Sequence, residues 1–200
     1  MRHFTVRINK TSENNNYSVT DCIISELMSL SIDLLHRRPD LLKECCDLLN
    51  EEWKRSETAR MRSFQNSCDS LPTNIILLED NHLIGHLKLS VIPSIPESCF
   101  VEGVVIQKHL RGKGYGTKIM NMAEEYCKKY LNLKEIYLST KDQERFYKKL
   151  GYKECSPISI YGGYPSNLFK DLSPPLNNNL NTMKNCPVPP GGKIYMMKTL

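Results

Sequence analysis

The run from Phe100 to Gly116, FVEGVVIQKHLRGKGYG, constrains this chain more than any other stretch. Val101 to Ile106 is apolar and rich in valine apart from Glu102, as a largely buried strand requires. Arg111-Gly112-Lys113-Gly114-Tyr115-Gly116 then forms a basic, glycine-rich turn. Ile119, Met120, Met122, Ala123, Tyr126 and Cys127 follow at helical spacing, predicting a helix to about Tyr130. Glycines let a backbone approach a ligand with no Cβ in the way. The first amides of a helix lack partners within it, and the helix dipole favours an anion there. Strand, glycine turn and helix start together predict a diphosphate cradle over Arg111, Gly112, Lys113, Gly114, Tyr115, Gly116 and Thr117. A Walker A loop is excluded, because no Gly-Lys-Ser/Thr closes the turn. The dinucleotide fingerprint is excluded too, since Gly112, Gly114 and Gly116 are spaced G-x-G-x-G.

Composition narrows the setting. Two hundred residues suit one domain with a substantial core. The expected layout is a disordered tail over 1–22 and a single domain over 23–200. A Pro/Asn-rich loop at about 162–192 belongs to that domain, and loops of such length are either functional or disordered. No apolar run is long enough to span a membrane, and no apolar h-region opens the chain. The eight cysteines (Cys22, Cys45, Cys46, Cys68, Cys99, Cys127, Cys155, Cys186) include no C-x-x-C pair. They read as reduced core residues of a cytoplasmic protein, with no disulfide frame and no metal site. The net charge of +5 is spread too evenly to point to nucleic acid.

Around the organising run the pattern predicts a strand over Leu27 to Leu35, then a helix entered through Pro39 and carrying Leu41, Leu42, Cys45, Leu48, Leu49 and Trp53. A second short helix follows within the cation-rich stretch Trp53 to Arg62. Ile75 to Glu79 and Leu83 to Val91 read as a hairpin around Asp80-Asn81-His82. Beyond the long helix come a strand at Glu135 to Ser139 and a helix at Asp142 to Leu150 closed by Gly151. Two last strands are expected at about Lys153 to Tyr161 and Lys193 to Thr199. The order gives an α+β fold around a twisted, mostly antiparallel mixed sheet with helices on both faces.

Two features invite chemistry on their own terms. Glu102 is a carboxylate in an otherwise apolar strand, and alternation puts it on one face with Val104 and Ile106, opposite Val101 and Gly103. Such a group needs a partner or a task. A structural salt bridge is one reading. The other is a base, because burial favours the neutral form and suits taking a proton from an ammonium, directly or through water. The cations Arg37, Arg38, Lys54, Arg55, Arg60 and Lys141 read either as solvated faces or as the rim of a mouth for carboxylates, which arginine forks hold bidentately.

The spacing [Q/R]-x-x-G-x-[G/A], met by Arg111, Gly114 and Gly116, resembles the acetyl-CoA pyrophosphate loop of the GNAT N-acetyltransferase superfamily. The segment FYKKLGY at 146–152 is similar to that superfamily's helix after the strand splayed from the acetyl-CoA strand. The resemblance implies acetyl-CoA as cofactor, with backbone groups of Val104, Val105 and Ile106 on the acetyl carbonyl and the pantetheine arm. It implies a general acid at Tyr147, a phenol that can protonate a leaving thiolate and be reset by solvent, where the residue type alone would read as a tyrosine packed on the inner helix face. It implies the base role for Glu102. Relatives carry an asparagine at the start of the FY helix; the comparable stretch here is Ser139 to Gln143, where Thr140 or Gln143 takes its place. HRRPDLL at 36–42, Trp53 with Arg55, Ser56, Thr58 and Arg60, and Gly85-His86 with Leu89-Ser90 further resemble the family of N-terminal acetyltransferases dedicated to actin. That implies an acidic actin N terminus as substrate, met by Arg37, Arg38, Trp53, Arg55, Arg60 and Lys141. It also implies a link to profilin through the proline-containing loop, here only Pro174-Pro175 and Pro187 to Pro190. A GNAT enzyme for broader peptide, lysine or small-amine substrates and a non-catalytic CoA-binding module are the alternatives.

Overall fold

The computed structural model describes residues 30–160 and 192–200, together with the backbone of Val6–Arg7. The loop expected at 162–192 therefore lies outside the described residues except for Gly192, as does the tail over 1–22 except for Val6–Arg7. Those two residues form a short strand, β1. The chain divides into two compact units, Met1–Leu89 with Glu102–Leu131 and Ser90–Val101 with Asn132–Leu200.

In the first unit β1 pairs antiparallel with β2 (Leu30–Leu34), and β2 with β3 (Thr73–Glu79). Asp80 and Asn81 both hold positive φ, 50° and 68°, and join β3 to β4 (His82–Val91). Two central residues at φ > 0 match the twist of the flanking strands, which is why Asp and Asn stand there. The hairpin reading holds, extended at both ends. Pro39–Leu41 makes a 3₁₀ turn that leads into α1 (Leu42–Glu52), whose Cys45, Cys46, Leu48 and Leu49 are buried. Trp53 does not continue that helix. It is the extended cap residue, 47% exposed. After α2 (Glu57–Gln65), capped by Ser56 accepting from the Ala59 amide, Phe64 joins Cys45, Leu49, Ile76, Leu83 and Val105 in one core cluster. The glycine turn leads into α3 (Tyr115–Lys129), whose buried residues are the apolar positions read from sequence.

Strand β5 (Ser98–Ile106) departs from simple alternation. Gly103 holds φ +60°, a left-handed conformation that side chains resist. This irregularity shifts the strand by one position. Glu102 lines a cavity with Leu49 and Phe64, and Val105 packs in the cluster with those same two residues. Glu102 thus shares its face with Val105, correcting the expected grouping with Val104 and Ile106. Gly85 of β4 is demanded by close approach instead: a Cβ there would stand 2.6 Å from Ile106 Cδ1 and 3.0 Å from the Val105 carbonyl.

In the second unit Ser98–Val101 of β5 pairs in parallel with β6 (Glu135–Thr140), and the ladder ends at Val101↔Leu138 while β5 runs on to Ile106. Helix α4 (Glu144–Lys149) closes through Gly151 at φ +90°, whose amide bonds the Lys148 carbonyl while the Tyr152 amide bonds that of Tyr147. β7 is only Lys153–Cys155, shorter than the strand expected to Tyr161, and Pro157 supplies no ladder donor beyond it. β8 (Ile194–Thr199) pairs antiparallel with both β6 and β7. Ile92, Phe100 and Tyr137 form the buried cluster of this unit, with Tyr195 and Met197 against it. The chain is α+β with mixed, mostly antiparallel strand pairing, as expected.

Candidate active site

The first unit holds a cavity of about 330 Å³. Its floor comes from sheet residues: Asn74 of β3, His86 and Lys88 of β4, and Glu102 and Gly103 of β5. Asn74 and Lys88 are paired across the β3–β4 ladder, and His86 and Lys88 are two apart on one strand, so all three point to the same side. Leu49, Trp53, Arg55, Arg60, Ser63 and Phe64 make the walls. Lys88 Nζ stands 3.4 Å from Glu102 Oε1, both side chains about one-third exposed, at 27% and 31%. Both readings of Glu102 thus meet in one place, since it is ion-paired and also faces a cavity.

His86 is buried, and burial pulls its pKa down to about 4, so the ring is neutral at physiological pH. Nδ1 lies 3.0 Å from the Gly103 carbonyl, and Nε2 lies 3.0 Å from Oδ1 of Asn74. A neutral ring has one N–H and a carbonyl can only accept, so Nδ1 carries the proton and Nε2 accepts. The Asn74 amide satisfies Nε2 when turned to present its NH₂, a group otherwise without a partner. His86 therefore fastens the irregular Gly103 from β4 and is no proton acceptor for catalysis near neutral pH.

The glycine turn is pinned at both ends. Arg111 donates through Nε to the Ile106 carbonyl at 3.0 Å and through Nη2 to Glu52 at 2.8 Å. Its charge is thus engaged with a carboxylate, and Lys113 is a second exposed cation of the turn. The Tyr115 hydroxyl donates to Glu79, a bond that, with burial, raises the phenol pKa to about 12. Between these pins Gly112 and Gly114 hold φ +78° and +86°, and a Cβ on either would meet open space. The first α3 bond runs from the Lys118 amide to the Gly114 carbonyl, so Tyr115, Gly116 and Thr117 are the residues whose amides have no partner within the helix. An open cradle with outward amides at a helix start fits a diphosphate.

In the second unit Tyr147 is buried on α4, its ring edge-on to Phe146 at 4.9 Å and to Tyr152 at 5.8 Å. Burial raises its pKa to about 12. The Thr140 hydroxyl accepts from the Gln143 amide at 3.1 Å, which fixes the turn into α4. Gln143 and Lys141 are exposed.

The cations expected at one mouth separate. Arg37 donates to Asp69 at 2.6 Å and borders a different cavity with Tyr126 and Tyr130. Arg38 is clamped on Asp40 at 2.7 Å and on Asn81 at 2.9 Å. Arg55 and Arg60 do line the Glu102 cavity, with Trp53. Lys88, which sequence reading passed over, joins them. Its place two residues after His86 in a strand was the available signal. Arg60 has a second task, donating to Asn50 Oδ1 at 3.0 Å and to the carbonyls of Leu49 and Trp53, where α1 ends. Arg60→Ala is expected to lower stability by about 1.5–3 kcal/mol through those acceptors. Arg55→Ala, at an exposed position, should stay within about 0.5 kcal/mol. Urea titrations of both variants check this, and equal losses would count against the capping role.

Among the described residues no helix is long and apolar enough to cross a membrane, and no group of His, Cys, Asp and Glu could hold a metal ion. Residues 40–152 match the model of the acetyltransferase (GNAT) family. N-alpha-acetyltransferase 80 of Mus musculus is 34% identical over 128 residues, 60% of this chain and 40% of that protein. The uncharacterized protein YxbD of Bacillus subtilis (strain 168) is 32% identical over 91 residues, 44% of this chain and 54% of that protein. The matches thus span about half the length of these relatives. Among solved structures, the spermidine N-acetyltransferase from Vibrio cholerae in complex with CoA and spermine aligns with TM-score 0.57 and 18% identity, covering 85% of this chain and 95% of that one. The IAA acetyltransferase from Bacillus cereus ATCC 14579 aligns with TM-score 0.53 and 17% identity, covering 86% and 100%. At such identity these likenesses speak for the fold, and the family match extends over more than half the chain. By its sequence, this chain belongs to the GNAT acetyltransferase family.

Proposed function

We propose that this chain transfers an acetyl group from acetyl-CoA to the α-amino group of an acidic protein N terminus, with processed actin as the substrate. The observation that carries the reading is the cavity in which one carboxylate, Glu102, stands among three cations, Arg55, Arg60 and Lys88. A terminus bearing an ammonium and adjacent carboxylates complements that arrangement, whereas a polyamine meets an excess of like charge. The similarity to N-alpha-acetyltransferase 80 points the same way.

Bound acetyl-CoA supplies the activated acetyl group and departs as the thiol. The amides of Tyr115, Gly116 and Thr117, with Gly112, Lys113 and Gly114, hold the diphosphate. Main-chain groups of Val104, Val105 and Ile106, beyond the last β5–β6 pair, take the acetyl carbonyl and the pantetheine arm. Gln143, with its exposed side chain, is better placed than Thr140 for a further contact. Glu102 takes a proton from the incoming ammonium, directly or through water, which frees the amine lone pair. As the C–N bond forms and the C–S bond breaks, Tyr147 Oη would give its proton to the departing sulfur; the nitrogen's second proton would pass to solvent, from which Tyr147 would regain one. Trp53 and Arg55 line the approach of the peptide, and Lys141 is a further exposed cation for the acidic terminus. The six described cysteines are free thiols, in keeping with a cytoplasmic setting. The proline-containing loop has no part in this reading.

The test is acetyl transfer to peptides beginning Asp-Asp, Glu-Glu, Met-Asp and Ser-Ala, with spermidine as control. Acidic termini should react at least roughly tenfold faster than Ser-Ala, the worth of one charge-assisted contact, with the gap narrowing as salt rises. Equal rates across the panel, or preference for spermidine, would sink the reading.

A further inference from the structure

Glu102 does not meet its substrate unattended, because Lys88 already stands beside it. We propose that Lys88 sets selectivity by exchanging partners: the substrate's carboxylate draws Lys88 away from Glu102, and the substrate's ammonium takes the vacated place. The inference rests on the acetyltransferase reading above and adds to it a residue and a manner of discrimination.

The lengths and anchorages of the cavity's charges support this. The Lys88–Glu102 separation of 3.4 Å is long for a charge-assisted hydrogen bond, which runs about 2.7–2.9 Å. The Arg111–Glu52 pair, by contrast, is closed at 2.8 Å. A loose pair on a flexible four-carbon stem moves at small cost. Arg60 cannot do the same, because Asn50, Leu49 and Trp53 hold its guanidinium. Arg55 stands on an exposed turn with its own amide bonded to Asn50. Lys88 is the cation in the cavity that is both beside the carboxylate and loosely held.

The exchange conserves charge. One Lys–Glu pair and one terminus carrying ammonium and carboxylate become two crossed pairs, Lys88 with the substrate carboxylate and Glu102 with the ammonium. Proton transfer then forms an O–H bond on Glu102 and breaks an N–H bond of the ammonium, leaving a neutral amine. A neutral terminus offers the ammonium alone. It must expel Lys88 from Glu102 and leave that cation uncompensated in a half-buried cavity, which opposes binding. Discrimination therefore acts against the neutral terminus as well as for the acidic one.

The experiment measures kcat/KM of Lys88→Met and Lys88→Arg with Asp-Asp and Ser-Ala peptides, with thermal melting and acetyl-CoA affinity confirming the fold. In Lys88→Met the Asp-Asp value should fall roughly tenfold while the Ser-Ala value rises, because Lys88 no longer competes for Glu102. Lys88→Arg should keep the acidic preference. In a Glu102→Gln background, Lys88→Met should no longer raise the Ser-Ala value. Values that fall together, a ratio that stays within about twofold, or a Ser-Ala gain that persists without Glu102 each overturn the exchange. A wild-type enzyme that prefers acidic peptides but keeps that preference in Lys88→Met defeats this inference alone. One that acetylates no peptide, or shows no preference, removes the acidic-terminus reading and the exchange together.

Discussion

Tyr147→Phe should lower kcat by roughly 10²–10⁴ with little change in KM, the loss typical of a general acid–base group. The substitution removes one hydroxyl and keeps the ring that packs edge-on against Phe146 and Tyr152. Fold and cofactor affinity should therefore survive. The pH dependence has a definite sign. Burial raises the Tyr147 pKa to about 12, so the phenol keeps its proton, the form a donor needs, throughout the range in which the enzyme can be assayed. Deprotonation begins to matter only as pH approaches that value, so Tyr147 should produce no alkaline fall in kcat below about pH 10. A wild-type alkaline limb near pH 9 that vanishes in Tyr147→Phe would contradict this, as would a Phe variant within about threefold of wild type.

Gly114→Val should weaken acetyl-CoA binding by about tenfold to a hundredfold, measured by calorimetry. Two effects add. Gly114 holds φ +86°, where a β-branched residue is strained by about 1–3 kcal/mol. The new side chain would also project into the open space over the turn, the place proposed for the diphosphate. The turn cannot easily shift to relieve the strain, because Arg111 is fastened to Ile106 and Glu52 and Tyr115 to Glu79. Relief must come from rotating the start of α3, which re-aims the amides of Tyr115, Gly116 and Thr117. Wild-type affinity in a folded Gly114→Val protein would rule out this turn as the diphosphate cradle.

Features written in local chemistry were legible in the sequence. The Asp80-Asn81 hairpin, the Gly151 cap and the turn before α3 each depend on residues within a few positions of one another. Long-range pairings were not. Arg37 and Arg38 looked like part of a cationic rim, yet Arg37 is committed to Asp69, 32 residues away, and Arg38 also reaches Asn81, 43 away. Arg60 showed its charge in the sequence but not that it would face the end of α1. The face of Glu102 was misread because alternation was carried through Gly103. A glycine within a strand is itself a signal of irregular backbone, and here that signal was present. Strands β4 and β5 each contribute residues to both compact units.

Arg60 closes the end of α1 with its guanidinium and also lines the cavity. Descendants of this chain are therefore not free to retune their substrate range evenly around the cavity. Changes at Arg60 loosen the helix end before any new preference can be selected. Lys88 and Arg55 carry no such duty to a helix end, so mutations there pass the stability threshold and expose altered preferences to selection. Divergence within this lineage should run through those two positions, with Arg60 holding still.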